Sequence, residues 1–195
     1  MKASQVLKSN VSELGKILLN FSEEYSEKFD KIAQVVYSTL DSKKCVFWCG
    51  NGGSAAESLH LAAEFVGRFR NDRSPLPSIS LNSDISVLTA ISNDYGFEKV
   101  FARQLEALGE KGDTLILLTT SGDSPNIIEA IKMADALRVN TIAFLGKSGG
   151  KALNLVSDSI IIDSFDTARI QEMHLLLGHT ICEYVDIKMG LDQND

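Results

Sequence analysis

Residues 45–54 read Cys-Val-Phe-Trp-Cys-Gly-Asn-Gly-Gly-Ser, an apolar run that stops at a glycine-rich turn. This pattern predicts a buried strand, a tight turn and a helix that starts near Ser54, because Ser54 and Glu57 have the spacing of a capping box. Four more apolar runs follow, and each is succeeded by a stretch of helical periodicity. They cover residues 78–81, 114–118, 141–145 and 159–162.

The alternation of strands and helices indicates the fold class. The run at 115–118, Leu-Ile-Leu-Leu, is apolar at every position, which is typical of a parallel strand covered on both faces. We therefore expect an α/β fold, a three-layer sandwich with a five-stranded parallel sheet. Two amphipathic helices within about 1–42 precede the sheet, and an apolar-rich helix over about 167–189 follows it. A chain of 195 residues without repeats or linkers predicts a single domain over 1–195.

The composition argues against several classes of protein. Acidic residues outnumber basic ones by 26 to 19, for a net charge of −7, which disfavours binding to nucleic acid or an anionic membrane but allows a small anionic substrate. Three cysteines and the absence of a charged-then-apolar leader in residues 1–10 favour a reducing compartment. No apolar run approaches the roughly 20 residues that span a bilayer. We expect a cytoplasmic protein.

The glycine-rich turn is a candidate binding site. Its backbone N–H groups and the positive end of the next helix can hold phosphate or sugar oxygens, although a simple tight turn would have the same composition. Gly50, Gly52 and Ala55 also match a loose dinucleotide-binding pattern. The acidic residue that this pattern requires about 20 residues later fits poorly, because Asp72 precedes the second strand and Asp84 comes late.

A second candidate loop follows the third strand. Residues 119–125 read Thr-Thr-Ser-Gly-Asp-Ser-Pro, with Ser124 as the predicted N-cap and Pro125 as the first helical residue. Hydroxyls and free helix N–H groups form a neutral phosphate cradle that suits an acidic protein. A serine-rich turn alone is common, but two such loops at the carboxyl ends of parallel strands lie where α/β sheets bind ligands.

Polar side chains on one helix face form a third candidate. His60 and Glu64 are four residues apart, and we expect Arg68 to continue their face. A histidine and a carboxylate at this spacing can share a metal, or the carboxylate can act as a general base. A solvated polar face is the alternative.

Two further groups are candidates. The final helix carries Gln171, His174 and His179 in mainly apolar surroundings, which indicates either a site or a histidine satisfied at an interface. Asn93 and Asp94 can bond sugar hydroxyls or turn the chain.

Taken in order, these motifs make the chain similar to the sugar isomerase (SIS) domain proteins, and within them to the phosphoheptose isomerases. The resemblance covers essentially the whole chain and depends on the order and spacing of the motifs together. It rests on Gly50-Asn51-Gly52-Gly53-Ser54, His60 and Glu64 before Gly67-Arg68, Asn93-Asp94 with Gly96-Phe97, Thr120-Ser121-Gly122-x-Ser124, and Ala168-Arg169-Ile170-Gln171-Glu172 with His179.

The resemblance implies a homotetramer that converts sedoheptulose 7-phosphate, a phosphorylated seven-carbon sugar, to D-glycero-D-manno-heptose 7-phosphate through an enediol. The product would supply heptose for lipopolysaccharide or capsule. The implied ligands of one zinc ion per subunit are His60, Glu64, Gln171 and His179, with Glu64 and His179 also the acid–base pair. The implied phosphate contacts are Thr119, Thr120, Ser121 and Ser124, and the implied sugar contacts are Asn51, Gly52, Gly53, Asn93 and Asp94. The remaining implied substrate-binding residues are Ser54, Glu64, Arg68 and Gln171. Some members carry an acid where this chain has Ala168, and we assign that position no role.

Alternatives remain at this point. A non-catalytic SIS protein that binds a sugar phosphate or a replication initiator protein would share the glycine turn, but it would lack the complete pair of Glu64 and His179. A dinucleotide-dependent oxidoreductase is a third interpretation. A metal-assisted hydride shift competes with proton transfer as the mechanism of isomerisation.

The spacing of two implied metal ligands predicts a shared site. On an ideal helix Gln171 and His179 are about 12 Å apart along the axis and their side chains differ by about 80° in direction, which is near the limit for one metal bound by both. We therefore expect a second subunit to complete the site.

Overall fold

A five-stranded sheet forms the middle layer of the protein in the computed structural model, which describes residues 1–190, with the backbone alone for residues 22–24. The strands are β1 (Val46–Gly50), β2 (Ser78–Ser80), β3 (Thr114–Thr119), β4 (Asn140–Gly146) and β5 (Asp158–Ile162). All neighbouring strands are parallel, in the order β2-β1-β3-β4-β5. The predicted five-stranded parallel sheet is confirmed. Residues 191–195 of the predicted domain lie outside the described residues.

Helices precede the sheet and cover its two faces. They are α1 (Ala3–Glu24), α2 (Ser26–Asp41), α3 (Gly53–Val66), α4 (Ile85–Tyr95), α5 (Ala102–Leu108), α6 (Pro125–Leu137) and α7 (Thr167–Lys188), with short 3-10 helices at Phe97–Lys99 and Lys151–Asn154. The two helices before β1 and the final helix agree with the prediction. Within residues 1–190, none of the helices is both long enough and apolar enough to cross a membrane.

Two hydrophobic cores lie on opposite faces of the sheet. Trp48, Ile116 and Phe144 pack with α2, α3 and α7 on one face. Phe47 and Leu115, their neighbours along β1 and β3, pack with α5 and α6 on the other. Successive strand residues point to opposite faces, so the central residues 115–118 of β3 are apolar and buried on both sides of the sheet. The predicted three-layer α/β sandwich is confirmed.

The turn between β1 and α3 differs in detail from the prediction. Gly52, with a φ of +58°, is the N-cap of α3, and the helix begins at Gly53. Glycine is the residue that adopts this backbone conformation without strain. The predicted cap at Ser54 is therefore wrong, and the buried Ser54 lies inside the first turn of the helix.

Candidate active site

A reciprocal amide pair joins the turn after β1 to the start of α6. Asn51 donates from Nδ2 to Asn126 Oδ1 at 2.9 Å, and Asn126 donates from its own Nδ2 to Asn51 Oδ1 at 2.8 Å. Asn126 is buried, and its Oδ1 also accepts from the Ile127 N–H. The glycine turn and the hydroxyl-rich loop therefore lie side by side at the carboxyl edge of the sheet, where α/β folds bind ligands.

The hydroxyl-rich loop presents polar groups in the pattern of a phosphate cradle. Thr119 Oγ1 accepts from the Gly122 N–H at 3.2 Å, and Ser121 Oγ accepts from the Asp123 N–H at 3.3 Å. Ser124 is the N-cap of α6, as predicted, but its hydroxyl makes no cap hydrogen bond. That hydroxyl and the helix N-terminus can therefore serve a ligand anion.

Glycines hold this loop against the segment that follows β4. A Cβ on Gly122, whose φ is +68°, would overlap Gly149 O, and a Cβ on Gly150 would overlap Ser121 O. The Lys151 N–H donates to the Asp123 carboxylate at 3.1 Å. The close backbone contact with residues 149–151 therefore fixes the shape of the hydroxyl-rich loop.

His60, Glu64 and His179 come together between α3 and α7. His60 Nε2 lies 3.3 Å from Glu64 Oε1 on the predicted helix face, and 2.8 Å from His179 Nε2. One candidate ligand atom from each residue lies within 4.8 Å of the other two. Two imidazole nitrogens and one carboxylate oxygen are a donor set that zinc accepts, so these residues fit a bound metal.

The surroundings of His179 favour its neutral form. Burial lowers the pKa of His179, and the neighbouring His60 lowers it further, while Glu64 raises it in part. The His60 ring contacts the His179 ring edge-on, with 5.0 Å between the ring centres. The Phe69 ring stacks on the His179 ring, with 5.5 Å between the ring centres. A neutral, fixed imidazole can bind a metal or exchange a proton with a substrate oxygen.

Comparisons with known proteins identify the family. The profile of the SIS domain matches residues 11–146. The chain is 47% identical to the phosphoheptose isomerase of Aquifex aeolicus over 174 residues, which cover 89% of this chain and 91% of that protein. The chain belongs to the phosphoheptose isomerase family. The solved structure of a phosphoheptose isomerase from Francisella tularensis agrees, with a TM-score of 0.92 and 33% identity over 96% of this chain and 100% of that one.

This membership confirms the family and the enzyme class, an isomerase, that the motifs predict. A more distant structure is that of the Vibrio vulnificus NanR protein complexed with ManNAc-6P. It matches with a TM-score of 0.69 at 12% identity, over 95% of this chain and 63% of that one. At that identity the likeness shows the fold alone.

Gln171 lies next to the glycine turn of this phosphoheptose isomerase family member. A Cβ on Gly53 would stand 2.5 Å from Gln171 Nε2, which also donates to Ser54 Oγ at 3.4 Å. Gln171 thus links α7 to the start of α3, the helix that carries His60 and Glu64. Its implied roles toward metal and substrate stay predictions.

Other predicted residues lie outside the helix face of His60 and Glu64. Arg68 does not continue the face of His60 and Glu64, because α3 ends at Val66 with Gly67 as its C-cap, and that expectation is wrong. Asn93 and Asp94 are exposed in the last turn of α4, where Asn93 donates to Asp94 at 2.8 Å.

His174, the remaining candidate on α7, has different surroundings from Gln171 and His179. His174 is fully buried in the core, with Nε2 3.2 Å from the carbonyl oxygen of Leu145. Burial lowers the pKa of His174 to about 4. His174 is therefore a neutral core histidine, separate from the group that includes His179.

Two residues near the site were not predicted. Phe69 contacts His179 by stacking, and an aromatic next to the Gly67-Arg68 motif was the available signal. Glu57 lies on α3 seven residues before Glu64 and has a buried Oε2 without a partner among the described residues. Burial raises the pKa of Glu57 to about 7. In the sequence, only its capping-box spacing with Ser54 marked it.

Proposed function

We propose that the protein is a ketose–aldose isomerase that converts sedoheptulose 7-phosphate to D-glycero-D-manno-heptose 7-phosphate. The observation that carries the proposal is the meeting of Glu64 with His179 and His60, with their ligand atoms within 4.8 Å of one another. A carboxylate and an imidazole at this separation can act on neighbouring atoms of one sugar. The relatives named phosphoheptose isomerase supply the substrate class.

Glu64 and His179 divide the proton transfers between them. Glu64 takes a proton from carbon 1 of the ketose, which gives an enediolate across carbons 1 and 2, and returns it to carbon 2. His179, neutral because of its lowered pKa, moves the hydroxyl proton from the oxygen on carbon 1 to the oxygen on carbon 2. The carbonyl is thereby moved to carbon 1 and no external oxidant is needed.

His60, Glu64 and His179 would hold zinc, one ion per subunit, with Gln171 as the fourth ligand that the resemblance implies. When bound, the metal supplies Lewis-acid polarisation of the sugar oxygens. A metal-bound carboxylate is a weaker base, so the two roles of Glu64 compete. Solvent isotope exchange tests its role as base.

The loops at the sheet edge would hold the two ends of the substrate. Thr119, Thr120, Ser121 and Ser124 bind the phosphate through hydroxyls and the N-terminus of α6. The glycine turn, residues 51–54, contacts the sugar together with Gln171. Arg68, Asn93 and Asp94 join the substrate set by resemblance, and their exposure leaves their side chains accessible to a ligand.

We propose that each subunit is a single SIS domain over residues 1–195 and that four subunits form a homotetramer. The enzyme works in the cytoplasm and supplies heptose for lipopolysaccharide or capsule. Leu7, Val11 and Leu19 of α1 are exposed, which suits a contact between subunits. Light scattering at assay concentration should give the tetramer mass. A fully active monomer would contradict this assembly.

The decisive experiment runs the isomerisation in deuterium oxide. The aldose should gain deuterium at carbon 2, since a proton carried by Glu64 exchanges with solvent. Glu64→Gln should lower kcat by at least about 100-fold while the phosphate still binds, because the cradle lies on another loop. Glu106→Gln, at an exposed carboxylate of α5, is the matched control and should retain wild-type turnover.

The outcomes separate the competing chemistries. An unlabelled aldose would indicate a hydride shift and remove Glu64 as the base. Near-normal turnover by Glu64→Gln would do the same. No turnover by metal-loaded wild type would favour a non-catalytic SIS protein.

A further inference from the structure

A buried ion pair connects α3 with α7, the two helices that carry His60, Glu64 and His179. These three residues are called the metal-binding group below. Arg73 lies on the segment 67–77 between α3 and β2, and its Nε donates to Asp186 Oδ1 of α7 at 2.7 Å. The two side chains are only 4% and 2% exposed. The same guanidinium donates to the carbonyl oxygens of Glu64 at 2.9 Å and Phe65 at 2.8 Å, in the last turn of α3.

The partners of Arg73 lie on the parts of α3 and α7 that carry the metal-binding group. Glu64 offers its carboxylate to the metal-binding group and its backbone carbonyl to Arg73. Asp186 follows His179 by seven residues, about two helical turns, so both lie on one face of α7. One guanidinium therefore contacts the turn of α3 that carries Glu64 and the face of α7 that carries His179.

The segment 67–77 follows this face of α7 over two turns. Phe69 stacks on His179, and Arg70 pairs with Glu183 at 2.7 Å. The side chains of Arg70 and Glu183 are 49% and 33% exposed, and exposed ion pairs contribute little to stability. Burial distinguishes the contact of Arg73 from that of Arg70.

Stability alone does not account for the pair of Arg73 and Asp186. Desolvation of two charges offsets most of their attraction, and apolar replacements of buried pairs are often equally stable. Asp186 Oδ2 is buried and lacks a hydrogen-bond partner within the described part of the chain, which adds to the cost. The pair instead fixes the orientation of α3 relative to α7, because the planar guanidinium donates to a carboxylate and to helix-end carbonyls at fixed angles.

We propose that Arg73 is a positioning residue of the isomerase. It holds the last turn of α3 against α7 through Asp186, and this keeps His60, Glu64 and His179 at the spacing that metal binding and proton transfer require. The inference rests on the proposed function, and its metal-binding part can be tested independently of turnover.

The experiment compares Arg73→Met with the double variant Arg73→Met/Asp186→Leu. Leu105→Ala is the control for a general loss of stability, because Leu105 is fully buried in the core on the opposite face of the sheet. Co²⁺ is titrated into metal-free protein and followed by visible absorption. Thermal unfolding, kcat and KM for sedoheptulose 7-phosphate are measured on the same samples.

Arg73→Met should weaken Co²⁺ binding by about 10- to 100-fold and lower kcat by a similar factor. KM should change by less than about threefold, since the phosphate cradle lies between β3 and α6. The double variant should regain thermal stability because it removes the unpaired carboxylate, but its Co²⁺ binding and kcat should stay low. Arg73→Lys, which keeps the charge without the planar fork, should fall between wild type and Arg73→Met.

Wild-type Co²⁺ affinity in the double variant would overturn the proposal, as would an equal loss of affinity in Leu105→Ala and Arg73→Met. Failure of the wild type to bind Co²⁺ would overturn it too. A wild type that binds Co²⁺ but does not isomerise the sugar refutes only the proposed function, and the Co²⁺ comparison still decides the role of Arg73. If Arg73→Met does not fold, Asp186→Asn takes its place in the comparison.

Discussion

Gly178 of α7 lies against Leu61 of α3 with no room for a β-carbon, since a Cβ on Gly178 would stand 2.5 Å from Leu61 Cδ2. Leu61 is fully buried next to His60, and Gly178 immediately precedes His179. The close approach of the two helices at this point therefore sets the separation of His60 from His179.

Gly178→Ala should reduce the free energy of unfolding by about 1 kcal/mol, because overpacking costs roughly 1–3 kcal/mol and exceeds the gain in helix propensity of about 1 kcal/mol. Urea unfolding followed by circular dichroism measures the change. Gly15→Ala in α1 is the matched control, because a Cβ there meets nothing within 4 Å, and it should gain about 0.4–1 kcal/mol. Equal gains in both variants would contradict the close contact of α3 with α7.

Local pattern predicts the strands and part of the site. The run at 115–118 is apolar at every position, which is typical of a parallel strand buried on both faces. His60 and Glu64 are neighbours because a helix places residues four apart on one face. Their meeting with His179, which lies 119 residues from His60, depends on tertiary packing and was expected only from the family resemblance.

The misplaced residues depend on backbone details that periodicity does not encode. Ser54 is not the cap of α3, because the positive φ of Gly52 starts the helix earlier. Arg68 leaves the helical face because the chain turns at Gly67. The pair of Arg73 and Asp186 joins residues 113 apart in the chain, and no local signal marks either one.

Asn126→Leu should raise KM for the sugar phosphate and lower the free energy of unfolding by about 1–3 kcal/mol. The variant removes both hydrogen bonds to Asn51, so the glycine turn loses its connection to the start of α6 and the hydroxyl-rich loop before it. Steady-state kinetics and urea unfolding measure the two effects. Asn140→Leu, at an exposed amide that begins β4, is the control. An unchanged KM in Asn126→Leu would show that the amide pair does not shape the substrate site.

His60→Ala should lose the bound metal, because it removes one of the three donor residues that lie within 4.8 Å of one another. Elemental analysis of protein purified without chelator should give up to one zinc per chain in the wild type and a small fraction of that in the variant. Circular dichroism checks that the fold is kept. Equal metal content in the two proteins would remove His60 from the ligand set.

Glu57→Gln should change how stability depends on pH. Burial raises the pKa of Glu57 from 4.5 to about 7, so the folded protein binds this proton more tightly than the unfolded chain. The wild type therefore loses stability relative to the variant as pH rises from about 4.5 to 7. The loss is on the order of 1–2 kcal/mol, less than full linkage gives because the side chain is half-solvated.

Urea unfolding of the wild type and Glu57→Gln at pH 4.5, 5.5, 6.5 and 7.5, about one unit apart across the titration, measures this change, with Glu129→Gln as the control of opposite sign. Hydrogen bonds from Lys132 and Lys99 lower the pKa of Glu129 to about 2, so its carboxylate stabilises the folded protein above pH 4.5 and loses that effect as pH falls toward 2. Glu129→Gln should thus be less stable than the wild type by an amount that is constant from about pH 5.5 to 7.5 and slightly smaller at about pH 4.5. A constant difference for Glu57→Gln as well would show that the Glu57 carboxyl is ionised and solvated at neutral pH.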